Sequence, residues 1–485
     1  MKTDPLIIRD TSHGIVQAVD YASLGAQDNS VNFAVNMRFD KKIGRAVARE
    51  GTSLVGAQIA NGQEILGLHQ FILSSGTKYL LAVVNGAANS ALYRLIGSDW
   101  TSESVSGVKS IKHRFLTFLD TVMILDGTNQ TSSANGDTWV TTGGNLDIGN
   151  CPAGKYAIEW HDRVYVSGVD GNEDTLYYSS IPTAGVISWT TGNGSIDIEP
   201  FSGQGNQTGL AKVPGYLLIF KERALKRWDG VSTYPDDLDI IGSSSQESIV
   251  NAGKVVMYFS AGYDESHGFY ETNGVDTRKI SRPIQDIVDA ISSANYSSIS
   301  GFSNGEYSLW SIGDITYDEI SYSNVVVLYH ISTNAWTVFS YPTEFKVFSP
   351  YISGNDLKII GGNDDGEIIE LFTGDLDNIT GSSNIGIQYV LQYHPQELRN
   401  RALNKDISQI VTQTKNGKGG SLSARVDETG DFKSVGVIKD DFGNELSTSL
   451  SGHTFEPKFT GISTAGTEII GLDILSPNLT SSVKR

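Results

Sequence analysis

Apolar residues in this chain come in short bursts, often alternating with polar ones, and small clusters of Gly, Asn, Asp and Ser separate the bursts. Alternation over a handful of residues predicts strands with two distinct faces, and the clusters between them predict tight hairpins. One stretch departs from this rhythm. SRPIQDIVDAISS places Ile284, Ile287, Val288 and Ile291 on one helical face, with Pro283 in the first turn, and predicts the one clear helix.

The hairpins form a loose repeat. ILGLHQFIL, KYLLAVVNG and ALYRLIG lead to Trp100; FLTFLD, TVMILDG and NGDTWV lead to Trp139; YAIEWHDRVYVSG, TLYYSSI and VISWTT lead to Trp189. Later units contain YLLIFKERALKRWDG, KVVMYFS with HGFYETNG, VVVLYHISTNAWTVFSY and LKIIGGNDDGEIIELF. Several units carry an apolar-aromatic pair at a corresponding place: Leu92 with Tyr93, Leu176 with Tyr177, Phe269 with Tyr270, Leu328 with Tyr329. Their spacing falls near one or two multiples of the ~40–50 residues of a four-stranded blade. One such sheet cannot cover both its faces, so neighbours stack radially and the ring protects most edges. The predicted fold is all-β: a β-propeller of about six to seven blades over residues 55–381, with an elongated solenoid or two sandwiches as the competing uses of the same hairpins.

After Gly381 the pattern changes. Ile385, Ile387, Tyr389, Leu391 and Tyr393 alternate strictly, as do Leu422, Ala424 and Val426, and Ile470, Leu472 and Ile474. Each run predicts a strand with one wet face, and residues 382–485 are read as a smaller C-terminal β domain, a sandwich or barrel-like platform. Residues 1–54 hold too little apolar matter to fold alone and are expected to pack on that domain or on a neighbouring subunit.

Composition sharpens this picture. With 52 Gly, 12 Pro and 39% apolar residues, the chain suits many hairpins better than disorder. A net charge of −19 argues against a whole-surface affinity for nucleic acid or anionic lipid. Cys151 stands alone, so no intrachain disulfide forms and synthesis in a reducing compartment is expected. The opening MKTDPLIIRDTSHG shows no basic and apolar leader pattern. No apolar run approaches the ~20 residues of a membrane-spanning helix.

Candidate chemistry is sparse. The eight His residues are scattered without HExxH spacing, and no GxSxG elbow, Walker loop or dinucleotide fingerprint is present. The expectation is a protein with no catalytic site, no cofactor and no metal. SANGDTW at 133–139 faintly resembles the Asp-box hairpin of sialidase propellers, but it occurs once and reads as a Gly-Asp turn. VDGNED at 169–174 and GGNDDGE at 361–367 offer carboxylates for Ca²⁺, yet they lack EF-hand spacing and read as plain loops. Three basic clusters stand out as candidate partner contacts. They are Arg38, Lys41, Lys42, Arg45 and Arg49; Lys221, Arg223, Lys226 and Arg227; and Arg399, Arg401 and Lys405.

Several stretches, read in order, carry a family likeness. NMRFDKKIGRAVAREG contributes Asn36, Phe39, Gly44, Arg49 and Gly51; GLHQFILSSGTKYLLAVVNG contributes Gly67, Phe71 and Gly76. HDRVYVSG, TLYYSS and TGLAKVPGYLLIFKE add Arg163, Tyr178, Ser179, Gly209, Leu210, Phe220 and Lys221, with Trp189 between them. Over roughly residues 30–280 the chain resembles tail hub or nozzle proteins of short-tailed bacteriophages, including the packaged-DNA stabilisation (tail accessory) proteins of the P22-like phages. The resemblance implies a structural virion protein forming a homo-oligomeric ring, a hexamer, below the portal and its adaptor. Such a ring surrounds the DNA exit channel without sequence-specific binding and docks a needle, fibres or tailspikes. The rival expectation is a glycan-binding or glycan-cleaving propeller of a tail fibre, which needs exposed aromatics and convergent carboxylates in one concavity.

Overall fold

The computed structural model describes the chain apart from residues 1–5, 9, 18–28, 40–43, 108–109, 199–202, 263–265, 397–403, 440–441, 476–477 and 481–485. Seven small sheets follow one another along it. Blade 1 runs Ile65–Ile72, Lys78–Val84, Ser90–Ile96 and Asp99–Gly107. Blade 2 has Arg114–Phe118, Thr121–Leu125 and Gln130–Ser133, with Val140 bridging to Ser132 in place of a fourth strand. Blade 3 runs Tyr156–Trp160, Arg163–Ser167, Thr175–Tyr178 and Gly194–Asp197; blade 4 runs Gln207–Val213, Tyr216–Lys221, Ala224–Trp228 and Asp236–Asp239. Blade 5 comprises Val250–Asn251, Val256–Ser260, Gly268–Thr272 and Thr277–Lys279. Blade 6 comprises Ser300–Ser303, Tyr307–Tyr317, Ile320–His330 and Ala335–Ser340, and blade 7 begins with Phe345–Ser353, Asp356–Asn363 and Ile368–Leu371.

Period-two alternation is what closes these sheets into a ring. In the second strand of blade 4, Leu217 and Ile219 pack on Trp160 and Leu176 of blade 3, while Leu218 and Phe220 pack on Val256 and Tyr258 of blade 5. Each of the seven junctions is filled by apolar side chains, that between blades 5 and 6 sharing its core with the C-terminal sheets, and the last, with Val347 and Ile360 of blade 7 against Ile65 and Ala82 of blade 1, completes the circle. The fold is an all-β propeller. The apolar-aromatic pairs all lie in third strands, those of blades 1, 3, 5 and 6.

Some local expectations are corrected. VISWTT is not a blade strand: Ile187 and Trp189 are buried in the core between blades 2 and 3, and the polar Gly194–Asp197 takes the fourth position. The helix is a 3₁₀ turn, Arg282–Ile284, followed by a short α-helix, Gln285–Asp289, with Ile284, Ile287, Val288 and Ile291 all buried. Ile469 rather than Ile470 enters the core beside Leu472 and Ile474, because the ladder to Asn404–Lys415 slips one residue at this point.

The ring is closed from outside its own span. Thr52–Leu54, placed by the sequence in the N-terminal segment, is the outer strand of blade 7, with Leu54 opposite Ile369 and Thr52 opposite Leu371. The sheet of blade 6 also runs on past its outer strand. Phe33–Val35 lies parallel to it through Val338 and antiparallel to Ile387–Gln392 on its other side. Phe455–Ser463, Ser421–Val426 and Thr429–Val437 then extend the same sheet. A second sheet, built on Asn404–Lys415, Phe442–Gly452, Glu468–Leu475, Ala46–Ala48 and Met37–Arg38, packs against it. Ile410, Leu472 and Ile474 of one sheet share a core with Tyr389, Leu391 and Phe459 of the other.

Arg49 sits where these parts meet and is 2% exposed. Its guanidinium makes a bidentate pair with Asp377 at 2.6 and 2.8 Å, and its Nε donates to Asn36 Oδ1 at 2.8 Å. The remaining donors reach the carbonyls of Glu50 at 3.0 Å and Ser340 at 2.9 Å, and the group lies 4.0 Å from the Tyr341 ring centroid. All five N–H groups of the guanidinium are thereby used. Asn36, held at φ 58, donates to the Gln388 carbonyl and accepts from the Ser340 N–H. Removing one partner of a buried pair strands the other charge. Arg49→Met is expected to cost about 3–5 kcal/mol in urea unfolding, Asp377→Asn somewhat less, and the double variant far less than their sum.

Candidate functional site

The first strands of the blades converge on the ring axis. Gly67, His69, Arg114, Phe115, Gly301 and Phe348 line a cavity of 250 Å³ there, below the size of most ligand pockets. The strands crowd closely: a Cβ on Gly67 would lie 2.5 Å from the His113 carbonyl. Ion pairs knit this region together. Arg114 of blade 2 reaches Glu247, between blades 4 and 5, at 2.5 Å and donates to the Lys155 carbonyl at 3.1 Å. Lys112 pairs with Glu64 and Lys212 with Glu159, both at 2.6 Å. Opposed charges with few free donors make this a strut between blades, with no room for a threaded polymer.

His69 lines this cavity, stacked on Phe115 at 5.2 Å and within 2.8 Å of the Thr117 hydroxyl. Desolvation by the surrounding strands pushes its pKa down to about 4.

A group that sequence reading missed brings Ser90, His113 and Asp126 together. Ser90 Oγ is 3.1 Å and Asp126 Oδ2 3.5 Å from the same ring nitrogen, Nε2, while Nδ1 faces the Ile111 carbonyl at 2.8 Å. A nucleophile relay needs serine and carboxylate on opposite nitrogens. All three residues are buried, and the adjoining void is 10 Å³, too small for a substrate. The arrangement locks blade 1 to blade 2. Only the composition of the group was visible along the chain, since its members come from three separate segments.

Five of the eight described members of the basic clusters face inward, which corrects the reading of those five as partner contacts. Arg38, Arg49, Lys221, Lys226 and Lys405 are buried. Arg38 pairs with Glu50 at 3.1 Å, Lys221 with Asp174 at 2.7 Å and Lys226 with Asp237 at 2.7 Å; Lys405 donates to the His453 carbonyl at 2.7 Å. Neighbours in sequence alternate across a sheet, so a run of cations along the chain is divided between faces in space. Arg45 pairs with Glu468 at 3.1 Å at the sandwich surface, Arg227 donates to the Gly274 carbonyl at 2.8 Å, and Arg223 is exposed. Lys41, Lys42, Arg399 and Arg401 lie outside the described residues.

The acidic loops are internally employed. Asp174 holds Lys221, and Glu173 accepts from the Gly171 N–H at 3.0 Å. Glu367 accepts from Asn363 Nδ2 at 2.7 Å and from the Thr380 N–H at 2.7 Å. Among the described residues no group of three or more His, Cys, Asp or Glu has metal-holding geometry. In SANGDTW, Asn135 Oδ1 accepts from the N–H groups of Asp137 and Thr138 at 3.0 and 2.8 Å, the hydrogen bonding of a turn. A further concavity of 560 Å³ between blades 6 and 7 has Tyr307, Phe372, Glu306 and Glu370 in its walls. The Arg38 guanidinium covers the two aromatic rings at 5.4 and 4.9 Å, and Lys358 pairs with Glu370 at 2.8 Å.

No family model matches the chain, and no curated protein matches it. Solved structures do. The YCF48 protein from Cyanidioschyzon merolae aligns at 8% identity and a TM-score of 0.41, over 66% of this chain and 98% of that one. The Pan2 WD40 domain of Neurospora crassa aligns at 7% identity and 0.39, over 67% and 97%. The extracellular domain of a putative one-component system from B. thetaiotaomicron aligns at 11% identity and 0.42, over 97% of this chain and 68% of that one. At these identities and TM-scores nothing about this chain is argued from the likeness.

The His69 imidazole is expected to stay neutral down to about pH 4. Its folded value lies below the ordinary 6.5, so the unfolded chain takes up this proton first as the pH falls. His69 therefore lowers stability progressively between those two values and has no effect above them. His69→Gln, measured by urea unfolding across that window, should show a flatter loss of stability than the parent chain; identical slopes would rule out the depressed value.

Proposed function

We propose that this chain is a non-enzymatic structural subunit of a bacteriophage tail, one copy of a ring that lines or closes the DNA exit channel. What carries this reading is where the residues of the phage resemblance lie. Asn36 and Arg49 form the central clasp, and Gly51 passes so close to Leu376 that a Cβ would sit 1.9 Å from its carbonyl oxygen. Phe71, Ser179, Leu210, Phe220 and Lys221 are all buried. Arg163 ties the Ser179 and Gly192 carbonyls together across blade 3. The resemblance thus follows the scaffold and its closure rather than any cleft.

In this reading the subunit is a stiff block, and DNA travels through a lumen formed between copies, because the subunit's own axis is crossed by Arg114 and Glu247. Six copies assemble by cyclic symmetry beneath the adaptor and portal, and present loops to a needle, fibre or tailspike. A net charge of −19 keeps phosphates from lodging on the assembly as a whole. The site of action is the virion, after synthesis in the host cytoplasm. The concavity between blades 6 and 7, with the half-buried Phe372 in its wall, favours a second reading, a glycan-binding part of a tail fibre.

Mass measurement of the purified chain, alone and mixed with its adaptor, should give a ring that forms on or with the adaptor. Particles lacking the protein should fill with DNA and then leak it. Stable infectious particles without it would overturn the tail-ring reading, and glycan-array binding abolished by Phe372→Ala would replace it with the second.

A further inference from the structure

The outer rim of blade 5 carries a cluster of positive charge. A concavity of 880 Å³ opens there, with Thr277, Arg278, Lys279, Arg282 and Gln285 among its walls. Three cations meet at this place in a chain carrying 55 acidic residues against 36 Lys and Arg. Arg278 is neutralised by Glu271 at 2.6 Å. Lys279 and Arg282 have no carboxylate at ion-pair distance among the described residues; the nearest influence on Lys279 is Asp289. That carboxylate is already engaged, by Gln285 Nε2 at 2.6 Å and by the His267 ring at 3.0 Å.

Lys279 is half-buried, and burial disfavours its ammonium form, while Asp289 favours it more than Arg282 opposes it. Its stem is seated against Gly268, where a Cβ would come within 2.6 Å of Lys279 Cε. The Thr277 hydroxyl, beside them in the wall, is buried without a hydrogen-bond partner. Lys279, Arg282 and this hydroxyl thus place two cations and a spare donor around one open recess, a set of partners suited to a multivalent anion. The charge of the cluster also indicates the kind of anion. Two cations balance the roughly −1.5 to −2 of a phosphate group near neutral pH, whereas a single carboxylate leaves one unmatched.

We propose that this recess on blade 5 is an oxyanion site for phosphate, supplied either as a free phosphate compound or by the backbone of a nucleic acid. The assignment stands apart from the tail-ring reading, since it depends only on the local charge and shape.

Calorimetric titration of the full chain with pyrophosphate at low salt, where screening is weakest, tests it. Wild type should bind, and Lys279→Gln and Arg282→Gln should each weaken binding about tenfold or more. Lys433→Gln, on the distant sandwich edge, should leave it unchanged, and Lys279→Arg, which keeps the charge, should retain most of it. Matching unfolding midpoints separate lost binding from lost folding. A single-stranded oligothymidylate titrated in parallel distinguishes the sources: variant-sensitive binding of both probes assigns the nucleic-acid backbone, and of pyrophosphate alone a free phosphate compound. No binding by wild type, or binding indifferent to both glutamine variants, overturns the proposal. Self-association by sedimentation that vanishes in Lys279→Gln, without any anion binding, also overturns it and puts carboxylates of a second copy in the recess.

Discussion

A guanidinium sealed from water must find an acceptor for each of its donors, and Arg49 finds them on four different parts of the chain. Asn36 belongs to the turn after the bridging strand, Glu50 leads into the closing strand, Ser340 ends blade 6 and Asp377 lies beyond blade 7. None of these segments can shift without leaving a charge or a donor unmet in a nonpolar setting. The pair adds little net stability beyond what packed apolar groups would give. Its effect is on geometry: it holds in register the strand that completes the ring and the strand that joins ring to sandwich.

That clasp explains why the propeller and the C-terminal strands are not separable bodies. Phe33–Val35 has blade 6 on one side and the sandwich on the other, so a single sheet crosses from one to the other. Seven apolar junctions then make the ring stiff, and paired charges cross its axis. The cavity at the centre is small, and larger recesses lie at the periphery, between blades 6 and 7 and on the rim of blade 5.

Blades were legible in the sequence wherever both faces of a strand are apolar, as in Tyr216–Lys221 or Val256–Ser260. They were harder to read at outer positions such as Asp236–Asp239, where a strand borders solvent and loses its apolar signal. The Thr52–Leu54 strand was invisible for another reason. Its three residues carry no pattern, and its partner is more than three hundred positions away. Site residues fared worse. The inward turn of Lys221 and Lys226 depends on carboxylates brought by other strands, Asp174 and Asp237, which local composition cannot reveal. The Ser90, His113 and Asp126 group and the rim of blade 5 exist only once strands are stacked.

The passage of the chain from sandwich to ring and back again has a consequence for its biogenesis. A ribosome delivers Phe33–Val35 long before either of its neighbours, Ala335–Ser340 and Ile387–Gln392, has been made. For most of translation this greasy segment has no native place to go, and blade 7 cannot receive its outer strand until its own hairpins emerge. Such long-range pairing makes nascent folding slow and exposes sticky surface in the meantime. Truncated products should therefore be clients of holding chaperones rather than autonomous smaller rings.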